Sequence, residues 1–300
     1  MRDAHGVDAN PQNANAVATV ARRLGLGTGN LDLTQYRGSQ QHESWLVSVD
    51  RDPICWIKLQ ASETTAGVER EAQVLRAIEG LRLAPELLDS GIASDGRPYL
   101  VTTVLPGRPL DTLTGLDRST LDGIIGDCAT WLAAFRDVEA GRLQMPVDPD
   151  DIAGSHPDLM QLLRPAAGWW HEADALVARR LLGADFEGNV HSPAQTIHGS
   201  FDPRNLLCDE GRLSGVVDFE ATRAGDGAFD VAGMACELLL AGEPRAADRW
   251  LELTLDGDGA APVRVGGFMA LRIWHRAEAG MDDSPQGAAF ADRIASLLLS

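Results

Sequence analysis

Two short segments in the second half of the chain carry the residue types that phosphoryl transfer needs. They are His198-Gly-Ser-Phe-Asp-Pro-Arg-Asn205 and Val216-Val-Asp-Phe-Glu220. The histidine can hold a loop in place. The asparagine seven residues later, and the aspartate at the end of the next predicted β-strand, can offer hard oxygen ligands to a cation. Such a set is typical of sites that hold magnesium on a nucleoside triphosphate. The pattern therefore indicates phosphoryl-transfer chemistry.

Lys58 supports this interpretation from the first half of the chain. Of the 26 basic residues it is the only lysine, and it lies in the apolar run Ile54-Cys-Trp-Ile-Lys-Leu59, which is typical of a strand. A lysine carries a compact charge on a thin stem and can reach between phosphate oxygens where a planar guanidinium does not fit. Taken alone, Lys58 is equally consistent with a lysine left by chance on a sheet surface. Together with the magnesium-type segments it is interpreted as the residue that anchors the phosphates.

Length and composition limit the class of protein. With 300 residues, 44% hydrophobic and 23% charged, the chain is long enough for two domains and has the composition of an ordinary soluble protein. No apolar run approaches the roughly 20 residues that cross a bilayer. The start of the sequence also lacks the apolar core of a secretory signal. We therefore expect a cytoplasmic protein with no membrane partner.

The formal net charge of −18 argues against a nucleic-acid partner, because no basic stripe is present to displace counterions from a phosphate backbone. The same charge favours a cationic ligand, although acidic surfaces also serve solubility. The four cysteines are widely spaced in apolar neighbourhoods, which predicts buried free thiols rather than disulfides or a zinc site. The sequence leaves both a monomer and a homodimer open.

The first third of the chain predicts a small antiparallel sheet with one main helix. Residues 1–13 are polar and expected to be frayed, and a helix is expected over 15–25. A second, main helix is expected over 64–79. Apolar or alternating runs predict strands over 31–36, 44–49, 54–59, 86–92 and 98–105. Pro106-Gly-Arg-Pro109 then breaks the chain, so the predicted domains are residues 1–105 and residues 106–300.

Helices dominate the predicted C-terminal domain. Helical spacing predicts them over 117–140, 157–164, 169–186, 228–241, 244–255, 263–280 and 285–299. The His198 segment and a strand pair over 205–208 and 213–217 lie between the third and fourth of these. The expected fold class is α+β: a two-lobed, protein-kinase-like fold with an N-terminal five-stranded antiparallel sheet and a mostly helical C-terminal lobe that carries a catalytic β-ribbon.

In its motifs the chain resembles small-molecule kinases of the aminoglycoside phosphotransferase and choline kinase type. The resemblance rests on the two segments above and on Gly225-Asp-Gly-Ala-Phe-Asp-Val-Ala232, and it covers the chain from the Lys58 strand through Asp230. It implies an enzyme that uses Mg²⁺ with ATP or GTP. Such an enzyme would move the terminal phosphoryl group to a hydroxyl of a small molecule, often an antibiotic or related natural product. A cationic acceptor would suit the acidic chain.

The resemblance also implies roles for individual residues. Lys58 would grip the α and β phosphates while Glu71, on the predicted 64–79 helix, holds its ammonium. From the residues alone, Glu71 is within reach of a lysine on the preceding strand if the helix packs across the sheet, and the alternative is a solvated helix residue. Magnesium would be bound by Asn205 and Asp218. Residues 37–44, which include Ser39, would form the loop over the phosphates, and the adenine would meet Thr103, Val104 and Leu105.

Ser200 departs from the family pattern. It stands two positions after the histidine, where the family places the aspartate that orients and deprotonates the acceptor hydroxyl. A serine cannot act as a general base near neutral pH without a base of its own. Asp202 is the candidate replacement, because residues two apart in an extended loop point the same way. It would position the acceptor directly, through Ser200 or through a water, and phosphoryl transfer tolerates such a change because its transition state depends mostly on alignment and charge neutralisation.

Two other functions stay open at this point. One is a degenerate kinase that binds a nucleotide or metabolite without transfer, which Ser200 favours and the intact Lys58, Asn205 and Asp218 disfavour. The other is a housekeeping sugar, amine or amino-acid kinase of the same architecture. Assay of a phosphorylated product with candidate acceptors distinguishes transfer from binding alone.

Overall fold

The structure is a computed structural model that describes residues 11–26, 30–36, 42–61, 67–112, 115–138, 195–255, 262, 264–269 and 272. The chain divides into two compact units. Unit 1 comprises Met1–Thr112 and Asn205–Thr222, and unit 2 comprises Leu113–Arg204 and Arg223–Ser300. The helices predicted over 157–164, 169–186 and 285–299, and most of the one over 263–280, lie outside the described residues.

Unit 1 contains a five-stranded antiparallel sheet. Its strands are β1 (Leu31–Tyr36), β2 (His42–Val49), β3 (Asp52–Gln60), β4 (Leu87–Ile92) and β5 (Pro98–Thr103). Their order is β1-β2-β3-β5-β4, and every neighbouring pair is antiparallel. The predicted sheet is thereby confirmed, and β3 with Lys58 lies at its centre.

Turn chemistry fixes the register between β2 and β3. Asp50 and Arg51 have φ values of 53° and 76°, as in a type I′ hairpin turn, whose twist matches that of the flanking strands. Aspartate tolerates this left-handed region because its short side chain can hydrogen-bond locally. Here Asp50 Oδ1 accepts from the Asn30 backbone N–H at 3.3 Å. The resulting register sets Ser44 beside Lys58.

One face of the sheet packs against helix α1 (Pro11–Arg23). The buried core on this side is made of alternate strand positions and one stripe of the helix, namely Ala16, Val17, Val20, Ala21, Trp45, Val47, Cys55, Ile57, Leu59, Ala93, Tyr99 and Val101. Residues 1–13 were predicted to be frayed, but residues 11–13 are helical, and proline suits the first helical turn because its φ is already fixed. Asn13 Nδ2 also donates to Glu43 Oε1 at 2.6 Å, which ties the helix start to β2.

Helix α2 (Gly67–Ala77) packs against the other face of the sheet. Val68 and Ala72 of this helix form a buried cluster with Leu100 of β5. Leu100 alternates along β5 with Tyr99 and Val101 of the first core, so the sheet separates the two clusters. The helix predicted over 64–79 is confirmed over this shorter range.

Five further strands are short, within the described part of the chain. They are β6 (Arg108–Pro109), β7 (Gln195–Ile197), β8 (Leu206–Asp209), β9 (Arg212–Val216) and β10 (Arg223–Gly225). β8 and β9 form the predicted ribbon, and β6 pairs along its edge. The approach is close, since a Cβ built on Gly107 would lie 2.5 Å from the Cys208 carbonyl oxygen. The predicted domain boundary placed this ribbon in the C-terminal domain, residues 106–300. In the structure the ribbon pairs with β6 and belongs to unit 1.

The helices described in unit 2 are α3 (Arg118–Arg136), α4 (Ala228–Leu240) and α5 (Pro244–Thr254). Asp117 caps α3 by accepting a hydrogen bond from the Thr120 backbone N–H at 3.0 Å. α3 and α5 pack together, and β7 pairs with β10. A cluster of aromatic rings lies in the described part of this unit, with ring centroids 5.0–6.5 Å apart across Trp131, Phe135, His198, Phe201 and Trp250.

The four cysteines are all free and buried, as the sequence predicted. Among the helices of the described residues, we find none whose length and hydropathy would let it cross a bilayer.

Candidate active site

Lys58 lies between two carboxylates of unit 1. Its Nζ donates to Glu71 Oε2 at 2.7 Å and to Asp218 Oδ1 at 2.6 Å. The side chains of Lys58 and Glu71 are 16% and 3% exposed, while Asp218 retains 27%. The ion pair expected between Lys58 and Glu71 is therefore present, and a third residue from a distant part of the sequence joins it.

The local sequence explains why these side chains meet. Along β3 the side chains alternate, so Ile57 and Leu59 enter the core beneath α1 and Lys58 points to the opposite face. That face is the one covered by α2, whose Val68 and Ala72 contact Leu100, the cross-strand neighbour of Lys58. Glu71 lies between these two apolar positions on α2, and so it is directed toward the sheet.

Burial and charge act in opposite directions on Lys58. Burial alone lowers the pKa of its ammonium, but the charges of Glu71 and Asp218 and the hydrogen bonds to them together raise that pKa well above its ordinary value. Burial raises the pKa of the Glu71 carboxyl, Lys58 opposes that effect, and the Asp218 charge adds to it. The ammonium is thus fully charged at physiological pH.

The backbone at Asp218 is held in an unusual conformation. Its φ of 72° and ψ of 65° lie in the left-handed region, which costs a non-glycine residue about 1 kcal/mol or more unless its surroundings hold it there. Phe219 follows in a short 3-10 turn and is fully buried, and its N–H donates to Glu71 Oε1 at 3.4 Å. Glu71 therefore supports both the ammonium of Lys58 and the backbone that presents Asp218.

Asn205 lies next to this turn. Its backbone carbonyl accepts from the Val217 N–H at 3.0 Å, which fixes the residue beside the chain that leads into Asp218. The two predicted magnesium ligands are therefore neighbours along the ribbon of unit 1, and their role in binding the metal stays a prediction.

His42 and Glu220 form a contact that sequence reasoning missed. His42 Nδ1 lies 2.9 Å from Glu220 Oε2, and the two side chains are 4% and 13% exposed. Ligand-type atoms of His42, Asp218 and Glu220 lie within 4.8 Å of one another. His42 and Glu220 each lie in a segment that was identified from the sequence. Because they are 178 positions apart, nothing in the sequence indicates that they contact each other.

Unit 2 holds residues 198–204 of the segment that begins at His198. Asp230 on α4 accepts from the backbone N–H groups of His198 and Gly199 at 2.7 and 2.9 Å, and Gly199 has a φ of 81°. His198 Nδ1 lies 3.3 Å from the Ser200 N–H, which donates to it. The loop that carries Ser200 is therefore braced at its start by a buried aspartate and a buried histidine.

Asp202 does not have the orientation that the sequence suggested. Its side chain is 1% exposed, and Oδ1 and Oδ2 accept from the Arg204 guanidinium at 3.0 and 2.7 Å. The Arg204 backbone N–H also donates to Oδ1 at 3.0 Å. A carboxylate buried and bonded in this way does not offer an oxygen to a substrate hydroxyl, so the structure gives no support to Asp202 as the base.

The residues expected at the adenine and over the phosphates are less informative. Thr103 ends β5, and its N–H and Oγ1 bond to the backbone of Glu86 at 3.0 and 2.9 Å. Val104 and Leu105 follow without regular structure. Ser39 lies outside the described residues, whereas residues 42–44 of the predicted phosphate loop belong to β2. Nucleotide binding by these residues stays a prediction.

Comparison with solved structures shows a common fold. A complex of a thermostable mutant of aminoglycoside phosphotransferase APH(4)-Ia with ADP and hygromycin B is 17% identical, with a TM-score of 0.62, over 94% of this chain and 97% of that one. The GDP and kanamycin complex of APH(2")-IIia is 14% identical, with a TM-score of 0.65, over 94% of this chain and 98% of that one. The protein-kinase-like α+β fold expected from the sequence is confirmed.

Comparison of sequences gives the family. Viomycin phosphotransferase of Streptomyces vinaceus is 30% identical over 193 residues, which are 58% of this chain and 64% of that protein, so the match spans less than two thirds of the relative's length. The model of the phosphotransferase enzyme family matches residues 14–268, which include both halves of the Lys58–Asp218 contact. The chain therefore belongs to the phosphotransferase enzyme family.

Proposed function

We propose that the protein transfers the terminal phosphoryl group of Mg²⁺-bound ATP or GTP to a hydroxyl group of a small natural product. The single observation that carries this proposal is the Lys58 ammonium, bonded at 2.7 and 2.6 Å to a buried and to a partly exposed carboxylate. The Lys58 ammonium would bind phosphate oxygens, Glu71 would hold it in place, and Asp218 would share its charge with a metal.

The residues of unit 1 fit a magnesium ion by their chemistry. Mg²⁺ takes a few carboxylate or amide oxygens from a protein and fills its remaining positions with phosphate oxygens and water. Asp218 and Asn205 supply such oxygens, and Asp218 retains enough exposure to reach a ligand. When bound, Mg²⁺ would neutralise negative charge that develops on the phosphate oxygens.

Acceptor choice is proposed from the relatives and from charge. The relatives are named for viomycin or appear in complexes with hygromycin B and kanamycin. We place the acceptor of this protein among hydroxylated antibiotics, with a role in self-protection or biosynthesis. A net charge of −18 favours a cationic one, whose KM would rise with ionic strength because salt screens the attraction.

Catalysis would proceed without a carboxylate at the position of Ser200. Because the transition state is loose, alignment of the acceptor and neutralisation of phosphate charge account for most of the rate. Ser200 would orient the acceptor hydroxyl through a hydrogen bond, and the braced backbone from His198 to Ser200 would keep it in place. Free buried cysteines agree with a reducing compartment, and we propose that the protein acts in the cytoplasm.

A coupled nucleotide-consumption screen across antibiotic classes tests the proposal. ATP and GTP are each supplied with Mg²⁺, and any acceptor that stimulates consumption is examined by mass spectrometry for the gain of one phosphoryl group. The Lys58→Met protein serves as the control for background hydrolysis. A product that forms equally well with Lys58→Met would contradict the assignment of Lys58.

A second candidate function is binding without transfer. Two observations favour it: Ser200 stands at the family's aspartate position, and the nearest carboxylate in the loop, Asp202, is buried and bonded to Arg204. In that case nucleotide or metabolite would bind, and no acceptor would yield a phosphorylated product. Calorimetric binding of Mg²⁺-ATP together with an empty product screen would favour this candidate.

A further inference from the structure

We propose that His42 and Glu220 are a pair of positioning residues that hold the turn after Asp218 in the geometry required for nucleotide binding. The inference rests on the proposed function. Both residues lie outside the Lys58–Glu71–Asp218 contact, and His42 Nδ1 lies 2.9 Å from Glu220 Oε2.

Three consecutive residues of the turn are each held by a different element of unit 1. Asp218 accepts from Lys58 of β3, the N–H of Phe219 donates to Glu71 of α2, and the carboxylate of Glu220 contacts His42 of β2. Each of these contacts joins residues more than one hundred positions apart in the sequence. The turn is therefore fixed by the folded sheet and α2 rather than by its own sequence.

The turn needs such support. Asp218 occupies the left-handed region at φ 72°, and residues in that region persist when the surrounding structure holds them. The first two contacts bind its side chain and the next backbone N–H. The third contact, between His42 and Glu220, would keep the turn from rotating away from the sheet.

Charge gives the pair a second purpose. Glu220 lies close to Asp218, and burial of two carboxylates near each other is unfavourable unless each has a donor. Lys58 supplies the donor for Asp218, and His42 supplies it for Glu220. With both carboxylates satisfied, Asp218 can keep one side chain orientation.

His42 is also well placed in the sequence. It is the first residue of β2 and lies within residues 37–44, the segment expected to cover the phosphates. A bond from this position to Glu220 links the start of β2 to the Asp218 turn within the same unit. Loss of this bond should therefore weaken binding of the nucleotide more than binding of the acceptor.

The test uses four variants of the full chain: His42→Leu, Glu220→Ala, the double variant, and His42→Gln, which keeps an N–H donor. Tyr99→Phe is the matched control, because it removes a side chain hydrogen bond of 2.8 Å elsewhere in the same sheet. For each variant we would measure the melting temperature, the KM for Mg²⁺-ATP, the KM for the acceptor, kcat, and hydrogen exchange of the peptide that spans residues 217–222.

We expect His42→Leu and Glu220→Ala to raise the KM for Mg²⁺-ATP roughly tenfold, as loss of a hydrogen bond to a charged group does, and to leave the acceptor KM unchanged. The double variant should be no worse than the poorer single variant, since both remove the same contact. His42→Gln should retain most of the affinity. Exchange of residues 217–222 should accelerate in the first three variants and not in Tyr99→Phe.

Several results would overturn the inference. A fall in melting temperature with unchanged KM for Mg²⁺-ATP would mean that the pair is only structural, and multiplicative effects in the double variant would mean that the two residues act separately. If the wild-type protein phosphorylates no acceptor, the proposed function fails. Binding of Mg²⁺-ATP and the exchange of residues 217–222 then still decide the inference, and unchanged exchange in Glu220→Ala would refute it.

Discussion

Two buried carboxylates in this protein, Glu71 in unit 1 and Asp202 in unit 2, are each paired with a cation, and the pairs are built differently. Glu71, on helix α2, receives its cation from strand β3, and the Lys58 side chain is 16% exposed and shared with Asp218. Asp202 receives its cation from a residue two positions later, and the Arg204 side chain is 64% exposed. The first pair joins distant parts of the sequence, whereas the second closes within one loop.

This difference separates a pair suited to bind a ligand from a pair that stabilises a loop. The Lys58 ammonium keeps a partly exposed partner, Asp218. In the proposed function, a phosphate or metal would enter the network by exchanging contacts with this pair. The Asp202 carboxylate has both oxygens committed to one guanidinium, and its exposure leaves no surface for a substrate. Removal of each cation in turn tests the comparison directly.

The largest effect is expected from Lys58→Met. Loss of a positioned charge at the phosphates should lower kcat/KM by about 10²–10³-fold. Because Glu71 would remain buried without its partner, the free energy of unfolding should also fall by about 3–5 kcal/mol. Steady-state kinetics and chemical denaturation measure the two effects. Lys58→Met with Glu71→Leu should recover stability but not activity, and recovery of activity would contradict the role of the ammonium.

A gain is expected from Ser200→Asp. If the protein is a working phosphotransferase that lacks only the family carboxylate, restoring that carboxylate should raise kcat about tenfold or more. A general base contributes at least about 10²-fold in reactions that depend more strongly on proton transfer, so the gain expected here is smaller. Ser200→Ala is the matched control and should lower kcat. A Ser200→Asp protein with unchanged or lower turnover and intact folding would show that the acceptor is not positioned at this residue.

A smaller effect on activity is expected at the second pair. Asp202→Asn should retain most of kcat, because the carboxylate is bonded to Arg204 and not available to a substrate. It should lower the free energy of unfolding by about 1–3 kcal/mol, as loss of a buried charge-assisted hydrogen bond does. Arg204→Met should resemble it in thermal melting. If Asp202→Asn abolishes turnover without loss of stability, Asp202 takes part in the chemistry after all.

The smallest effect is expected from the helix cap. Hydrogen bonds from Thr120 hold the pKa of the Asp117 carboxyl below its usual range. A lowered pKa in the folded state contributes stability above the ordinary carboxyl pKa of about 3.9, and this contribution is lost as the pH falls through the folded value. Asp117→Ala should therefore lower the melting temperature slightly at neutral pH. The difference from wild type should shrink in acid, and a difference that grows in acid would contradict the capping role.

Much of the fold was predictable because periodicity is local. Strand 31–36 was predicted with the bounds that β1 has, and the predicted helix over 244–255 differs from α5 by one residue. The two- and three-residue strands β6, β7 and β10 could not be found in this way, since so few residues show no alternation. Their partners lie far away in the sequence and are set by tertiary packing.

The site was predictable to a different degree at each residue. Motifs and a lone lysine selected Asp218 and Lys58, and the family resemblance added Glu71. The three side chains meet in the structure. The alternation that aligned Asp202 with Ser200 holds only in an extended chain. Residues 202–204 instead form a bend and turn, in which the backbone N–H and the guanidinium of Arg204 bind the Asp202 carboxylate. The role of Asp202 in catalysis stays a prediction. His42 and Glu220 could not be paired from the sequence, because a histidine at a strand start has many possible neighbours.

Because the chain contains a single lysine, binding of a nucleotide at Lys58 can be measured directly. With isotope-labelled lysine, the side-chain ammonium gives one resonance, that of Lys58 Nζ, and it can be followed as Mg²⁺-ATP or Mg²⁺-GTP is added. We expect the resonance to shift and saturate with the nucleotide, and we expect Asp218→Asn to weaken this response. A resonance that stays unchanged at saturating concentrations of both nucleotides would show that Lys58 does not bind the phosphates.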